Sequence, residues 1–403
     1  LQFGIYFHLP YCIKKCPYCD FNSYAFDGDI GSKEKPYLKA LLAEVNWYAD
    51  QLLPSAPLEA QVSSIFFGGG TPSLFSAESI SNLIDLVNQR FSLAEDCEVT
   101  LEANPGSVFE PLNVQKLKDF RAGGLNRLSL GCQSFSESKL AFLGRVHSVE
   151  HTKSAISNFR EAGFDNFNLD LIFACKGETL EDWRSDLESA LSFDPQHISA
   201  YGLTIEPGTE FGRLHQQGKQ LNCSDELFAE MYTLCSELLG KSNFNRYEIS
   251  NYSQPGRECQ HNLGYWSRRN YLGFGAGAHS FLDTLATPHT RNDGWGCRWI
   301  NEVKPERYME KCNENAHAAQ RSETLKKSEA LTEYVFTNLR KSTGLNLQQL
   351  EKRFGSVDLT EAAQVLKEEG LIVENNCYIS LSDRGFLYSD YVFEQFTRTF
   401  PIA

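Results

Sequence analysis

The chain has 403 residues, 41% hydrophobic and 22% charged, a balance that excludes intrinsic disorder and allows two or three domains with large cores. Lysine plus arginine number 38 against 52 for aspartate plus glutamate, and this net charge of −14 argues against non-specific binding to nucleic acid or to anionic membranes. No run of about 18 apolar residues occurs, so no integral membrane segment is expected.

In chain order, short β-branched or aromatic runs alternate with amphipathic stretches through the first half. Strands are predicted at Gly4–His8, Ser64–Phe67, Cys97–Glu102, Arg127–Gly131, Asn166–Phe173 and His197–Leu203. Helices are predicted between them at Pro36–Leu53, Ala77–Phe91, Asn113–Ala122, Glu150–Ala162 and Leu180–Leu191. Thr179 with Asp182 reads as a capping box, and Gly123 and Gly163 stand where helices end. Roughly 33 residues per unit is the size of one βαβ repeat, so the strands are expected to be parallel. Six units are too few for a complete eight-fold barrel, and an incomplete α/β barrel is the expected architecture.

From Glu206 to about Gln320 the pattern is irregular, rich in aromatics and in Gly/Asn/Ser turns. The tail reads as helices at Lys326–Arg340, Leu347–Phe354 and Thr360–Glu369. A hairpin over Leu371–Leu381 turns at Asn375-Asn376, and a last helix starts at Gly385. Helices followed by a hairpin suggest a winged-helix-like α+β domain. Its acidic excess favours an interaction or lid role over DNA binding. The organisation expected is therefore a barrel core over 1–205, a connecting region over 206–320 and a C-terminal domain over 321–403.

Nine of the twelve cysteines are scattered, many in apolar runs where a reduced cysteine behaves as a small hydrophobe. A chain of this size needs no disulfide framework, so a reducing compartment is expected, the cytoplasm first. Leu1 in place of Met leaves an organelle matrix open. The other three cysteines cluster in Cys12-Ile-Lys-Lys-Cys16-Pro-Tyr-Cys19, on a loop leaving the first strand. Three thiolates within eight residues suit a [4Fe–4S] cluster with one iron open to an outside ligand. Zinc, with His8 as a fourth ligand, and plain redox thiols are the alternatives.

Cys-x3-Cys-x2-Cys with an aromatic Tyr18 before the last cysteine resembles the cluster motif of the radical S-adenosylmethionine (SAM) superfamily. Gly68-Gly69-Gly70-Thr71-Pro72, one βα unit later, resembles that superfamily's glycine motif. The resemblance implies that Cys12, Cys16 and Cys19 hold a [4Fe–4S] cluster whose open iron is chelated by SAM, which one-electron reduction cleaves to a 5′-deoxyadenosyl radical. It also implies a low-potential electron donor such as a flavodoxin or ferredoxin. Tyr6, Glu102-Ala-Asn-Pro105, the Asn126–Phe135 stretch, Leu143-Gly-Arg145 and Asn168-Leu-Asp-Leu171 narrow the likeness. They are similar to the branch containing oxygen-independent coproporphyrinogen III oxidase (HemN) and the HemW heme chaperones, along nearly the whole chain. By that resemblance Tyr6, Tyr18, Gly69, Gly70, Thr71, Glu102, Gln133, Arg145 and Asp170 line the SAM pocket. Glu102 and Asp170 are suited to ribose hydroxyls and Arg145 to a carboxylate.

Three departures favour the chaperone side over the oxidase. Phe21 stands where the oxidase usually has a fourth cysteine, and the long segment that precedes the oxidase's cluster has no counterpart before Cys12. His261-Asn-Leu-Gly-Tyr265-Trp266 resembles the HNxxYW signature associated with HemW. That likeness implies heme as a ligand, with His261 heme-linked and Tyr265 and Trp266 in support, and an apo-hemoprotein as acceptor. His279 is a rival ligand, and His147 is assigned to hydrogen bonding on the SAM side. Ala174-Cys175-Lys176-Gly177 replaces a Gly-Leu-Pro-Gly-like turn, which is expected to alter the loop near SAM. The enzymatic alternative is radical decarboxylation of coproporphyrinogen III to protoporphyrinogen IX.

Overall fold

The computed structural model describes residues 2–52, 61–106, 112–283, 294–375 and 377–398. Its centre is a row of six strands: β1 (Gln2–Leu9), β2 (Gln61–Gly69), β3 (Leu93–Ala103), β4 (Arg127–Gln133), β5 (Phe167–Phe173) and β6 (His197–Gly202). They stand in chain order, each parallel to the next. Strands covered on both faces read as continuous apolar runs, which is why these segments were legible. In β4 all residues but the last are buried.

Helices α1 (Gly31–Leu52), α2 (Ala77–Phe91), α3 (Val114–Ala122), α4 (Val149–Glu161) and α5 (Leu180–Ser192) make the crossovers. Their starts are local: the side chains of Ser76 and Asn113 accept the N–H three residues on, and Thr179 and Asp182 form the expected capping box. The result is the incomplete (β/α)6 barrel of the radical-SAM type. No helix among the described residues is long and apolar enough to cross a membrane.

The connecting region is more regular than the sequence suggested. It holds a 17-residue helix, α6 (Asp225–Lys241), capped by Ser224 and buried along Met231, Leu234, Cys235 and Leu239. Short strands from the same region extend the sheet at both edges. On one side β7 (Asn251–Ser253) pairs antiparallel with β6. On the other, β8 (Tyr271–Phe274) lies parallel to β1, and β9 (His279–Leu282), β10 (Cys297–Asn301) and β11 (Ala319–Thr324) follow antiparallel. With the two-residue strand Asn245–Arg246 antiparallel to β7, the sheet counts twelve strands among the described residues and stays open. Between its two wings, α7 (Gln260–Trp266) carries the HNxxYW residues.

Glu44, fully buried on α1, fastens the added wing. Its carboxyl accepts from the backbone N–H of Gly275 at 3.0 Å, from Asn301 Nδ2 at 2.8 Å and from the Tyr308 hydroxyl at 2.6 Å. Burial still pushes that carboxyl up to about 7.

The tail forms α8 (Lys327–Leu339), α9 (Leu347–Phe354), α10 (Thr360–Glu368) and the hairpin β12 (Ile372–Asn375) with β13 (Tyr378–Leu381). This is the winged-helix-like α+β arrangement. Of the expected turn pair, Asn376 lies outside the described residues. The last helix is two pieces, α11 (Asp383–Leu387) and α12 (Ser389–Thr397), broken at Tyr388. The Ser382 side chain caps the first piece through the N–H of Gly385, so that helix begins earlier than expected.

Candidate functional site

The cysteine loop leaves the carboxyl end of β1. Tyr11–Cys12 pairs in parallel with Tyr24–Ala25, which closes the loop at its base. Lys15 Nζ donates to the Phe21 carbonyl at 3.1 Å across it. Cys12, Cys16 and Cys19 are all free and half-buried. Each receives a polar neighbour: Thr71 Oγ1 lies 3.5 Å from Cys12 Sγ, Arg145 Nη1 3.4 Å from Cys16 Sγ, and Ser23 Oγ 3.7 Å from Cys19 Sγ. The Cys12 thiol is pushed up by burial, with Cys19 and Cys16 adding to it.

Among the described residues no group of three His, Cys, Asp or Glu side chains is placed to hold one metal ion. Three thiolates suit a [4Fe–4S] cluster with one iron open, and they fall one ligand short of a structural zinc site. His8 is engaged elsewhere: Nδ1 lies 3.0 Å from the Tyr6 hydroxyl and Nε2 2.8 Å from the Asn22 carbonyl.

The residues assigned to SAM come together at the strand ends beside this loop. Gly69 has φ +114°, and a Cβ there would meet the His8 ring at 2.5 Å. A Cβ on Gly70 would meet Tyr11 O at 2.7 Å, so only glycine lets β2 pass under the cysteine loop. Glu102 Oε2 accepts the Gly69 N–H at 3.1 Å, and the next turn carries Thr71, whose Oγ1 accepts from Asn104 Nδ2 at 2.9 Å. Burial, then Asp170, pushes the Glu102 carboxyl up to about 8. Asp170 is raised too, by burial, although Ser129 at 3.1 Å and Asn168 at 2.8 Å donate to it.

Arg145 reaches across with Nη1 to the Tyr18 hydroxyl at 3.4 Å and Nη2 to the Gly131 carbonyl at 3.1 Å and to Asn104 Oδ1. Its buried Nε has no hydrogen-bond partner among the described residues. A half-buried cation with an open, buried donor and no carboxylate partner among the described residues fits the carboxylate of SAM. Gln133 adopts φ +65°, rare outside glycine, at the end of β4. The next two residues are held by Asp186, which accepts from Ser134 Oγ and Phe135 N, both at 2.7 Å. Lys139 bridges Asp186 at 3.0 Å and also Glu178, whose other oxygen accepts the Cys175 N–H at 2.9 Å. The altered Ala174–Gly177 loop is thus tied to the same buried cluster, with Ala174 at φ +66°.

Sequence reasoning assigned no role to this network or to Asn104. Asn104 was visible in Glu-Ala-Asn-Pro, whereas Lys139 and Asp186 carried no local signal. His147 Nε2 contacts the Cys132 carbonyl at 3.1 Å, and its ring is kept neutral, pushed down to about 3 by burial and by Arg145.

His261 is 3% exposed, and both ring nitrogens are engaged: Nδ1 lies 2.9 Å from Ser64 Oγ and Nε2 3.0 Å from the Tyr265 hydroxyl. The ring stacks on Phe66 at 5.1 Å. Burial, then Arg127, pushes its pKa down to about 3, so it stays neutral. Glu98 accepts the N–H groups of Gln260 at 3.1 Å and His261 at 3.2 Å, which fixes α7 against β3. His261 lines a polar cavity of about 160 Å³ inside the barrel with Arg127, Asp170 and His197.

Tyr265 lines that cavity as well, and with Trp266 it also opens into one of about 600 Å³, which runs from Tyr6, Gly69 and Glu102 to Arg269 and the start of the tail. His279 lies on that cavity and is exposed. The site assignments thus fall into one group around the cysteines and a second around Tyr265, joined by Tyr6 and Glu102.

The Radical SAM superfamily matches residues 6–190, and the HemN C-terminal domain matches residues 325–388. The solved structure of coproporphyrinogen III oxidase (HemN) from Escherichia coli, described as a radical SAM enzyme, superposes with a TM-score of 0.79 at 22% identity, over 98% of this chain and 90% of that one. At that identity the likeness speaks for the fold. A protein named heme chaperone HemW from Escherichia coli is 39% identical over 72% of this chain and 74% of its own length. Another of that name from Bacillus subtilis is 34% identical over 97% of this chain and 98% of its own length. With likeness of that depth along both whole chains, this protein belongs to the HemW family of the radical SAM superfamily.

Proposed function

We propose that this chain is a heme chaperone that binds heme and delivers it to an apo-hemoprotein. The observation that carries this reading is the 600 Å³ cavity, where Tyr265, Trp266, Tyr271 and Phe281 offer aromatic surface to a flat apolar ligand. The names of the relatives support it. Phe21, 66% exposed on the cavity rim, supports it against the oxidase.

Superfamily membership brings a [4Fe–4S] cluster and SAM, which together supply one-electron reductive chemistry when bound. Cys12, Cys16 and Cys19 would hold the cluster. Arg145 would orient the SAM carboxylate, and Glu102 and Asp170 its hydroxyls, with Tyr6, Tyr18, Gly69, Gly70, Thr71 and Gln133 completing the wall. His261, Tyr265 and Trp266 are the heme-linked residues of this proposal. Because both nitrogens of His261 are engaged, its direct ligation of iron requires release of Ser64 or Tyr265. His279 faces the same cavity unburied and is the rival ligand. An electron donor of the flavodoxin or ferredoxin class and a reducing compartment, cytoplasmic or in an organelle, complete the reading.

The test is an anaerobic assay on protein of known cluster content, with SAM, a low-potential reductant and coproporphyrinogen III. No decarboxylated porphyrin, together with stoichiometric heme uptake and transfer to an apo-hemoprotein, is expected. Multiple turnovers that vanish in Cys16→Ser would make the chain an oxidase.

A further inference from the structure

Two consecutive arginines line the large cavity in opposite electrostatic states. Arg268 is buried and saturated: Nε donates to Glu333 Oε2 at 3.2 Å, Nη2 to the Trp295 carbonyl at 2.7 Å, and Nη1 to Asp283. Its guanidinium also lies 4.6 Å from the Phe281 ring centroid. Arg269 is half-buried, and its backbone N–H bonds Gly264 O at 2.9 Å. Its guanidinium has no hydrogen bond or ion pair among the described residues. Close to it stands a second cation, Lys341, whose Nζ donates to Ser267 Oγ at 3.1 Å and likewise has no carboxylate partner among those residues. Burial and the neighbouring Arg269 push that ammonium down to about 8.

Two adjoining cations left without an acid are out of character in a chain with 52 acidic and 38 basic side chains. The carboxylates that share the cavity do not answer them. Glu333 is held by Arg268 and, at 2.9 Å, by Arg298, and Asp20 is exposed. Glu102, pushed up to about 8, is largely neutral at pH 7 and does not repel an incoming anion.

We propose that Arg269, backed by Lys341, binds the propionate carboxylates of the tetrapyrrole whose aromatic plate lies along Tyr265, Trp266 and Tyr271. This rests on the heme reading above and assigns what that reading leaves open, the edge by which the ligand is held. Heme is a flat apolar plate with two carboxylates on one side. The cavity matches both features, with rings along one wall and a guanidinium free to pair bidentately. The SAM carboxylate has its own partner in Arg145, so the two anions do not compete.

The test titrates the full-length protein with heme and with heme dimethyl ester, following the Soret band, in wild type, Arg269→Gln and Arg269→Lys. Wild type is expected to bind heme at least about tenfold more tightly than the ester, the scale of one hydrogen bond between charged groups. Arg269→Gln should lose that preference by weakening heme alone, and Arg269→Lys should keep part of it. Equal binding of heme and ester by wild type, or a preference that survives in Arg269→Gln, overturns the carboxylate assignment while leaving heme binding intact. Failure of wild type to bind either compound overturns the heme reading and this assignment with it.

Discussion

Arg145 and His261 stand at two different cavities, Arg145 beside the cysteine loop and His261 inside the barrel, and they are built oppositely. Arg145 is half-buried yet keeps its buried Nε without a partner among the described residues, beside a thiol, a carbonyl and a tyrosine that do not neutralise it. His261 is buried with every ring nitrogen engaged, inside a circuit of Ser64, Tyr265 and Glu98. An unmet buried donor costs stability, and the chain retains it where a ligand is to complete the bond. A closed circuit costs nothing of that kind and fixes whatever is attached to it. The cysteine side is thus prepared to receive, whereas His261 as it stands is prepared to position Tyr265 at the wall of the aromatic cavity.

The largest expected separation of the two sites comes from Cys16→Ser. It should abolish the iron–sulfur absorbance and the electron paramagnetic resonance signal of reduced protein, and SAM binding with them. Heme titration should remain within about twofold of wild type, since the aromatic wall of Tyr265, Trp266, Tyr271 and Phe281 comes from other elements and the cysteine loop reaches only the rim. Loss of both activities together would mean that the sites are not separable.

Arg145→Gln should act on one side alone, weakening SAM about 10- to 100-fold by calorimetry on cluster-loaded protein, as expected for losing a charge-assisted pair. Its heme affinity should not move.

At His261 the comparison can be reversed. His261→Ala strands Ser64 and Tyr265 in a buried space and should cost about 2–4 kcal/mol in urea unfolding, against about 1 kcal/mol for Tyr265→Phe. If His261 ligates iron after release of Tyr265, Tyr265→Phe should strengthen heme binding while His261→Ala abolishes the low-spin spectrum. If it only positions, His279→Ala is the variant that changes the spectrum.

How much of this was open to a reader of the sequence follows the distance between partners. The six core strands, their helices and the Thr179 cap depend on neighbours within a few residues, and local pattern reveals them. The cysteine loop and the glycine turn are likewise local. His261 was visible as part of a motif, but what engages it was not, because Ser64 is 197 residues away and Glu98 is 163. The pairing of Gly4 with Tyr271 was hidden for the same reason, and the Gly-rich Gly273–Gly277 run next to it reads as loop. Helix α6 is different: Ser224, its cap, and the spaced Met231, Leu234 and Leu239 were legible. They went unread because the surrounding aromatics broke the pattern.

The smallest predicted effect concerns pH and separates the open site from the closed one without any ligand. Glu102 ionises at about 8 in the folded chain, and at about 4.3 in an unfolded one. Between those values the folded state holds a proton that the unfolded state has released, so stability is full below the lower value and is lost as pH rises towards 8. Glu44, raised to about 7, bends the profile the same way. His261 bends it as well, since its folded value of about 3 lies below the ordinary one near 6.5. There the unfolded chain binds the proton, and stability rises with pH up to about 6.5. Glu102→Gln should remove only its own share, raising the melting temperature of ligand-free protein by about 1–2 °C at pH 8 and by nothing at pH 4.5. An equal gain at both values would mean that the carboxyl ionises alike in the folded and the unfolded chain, so that burial does not raise it.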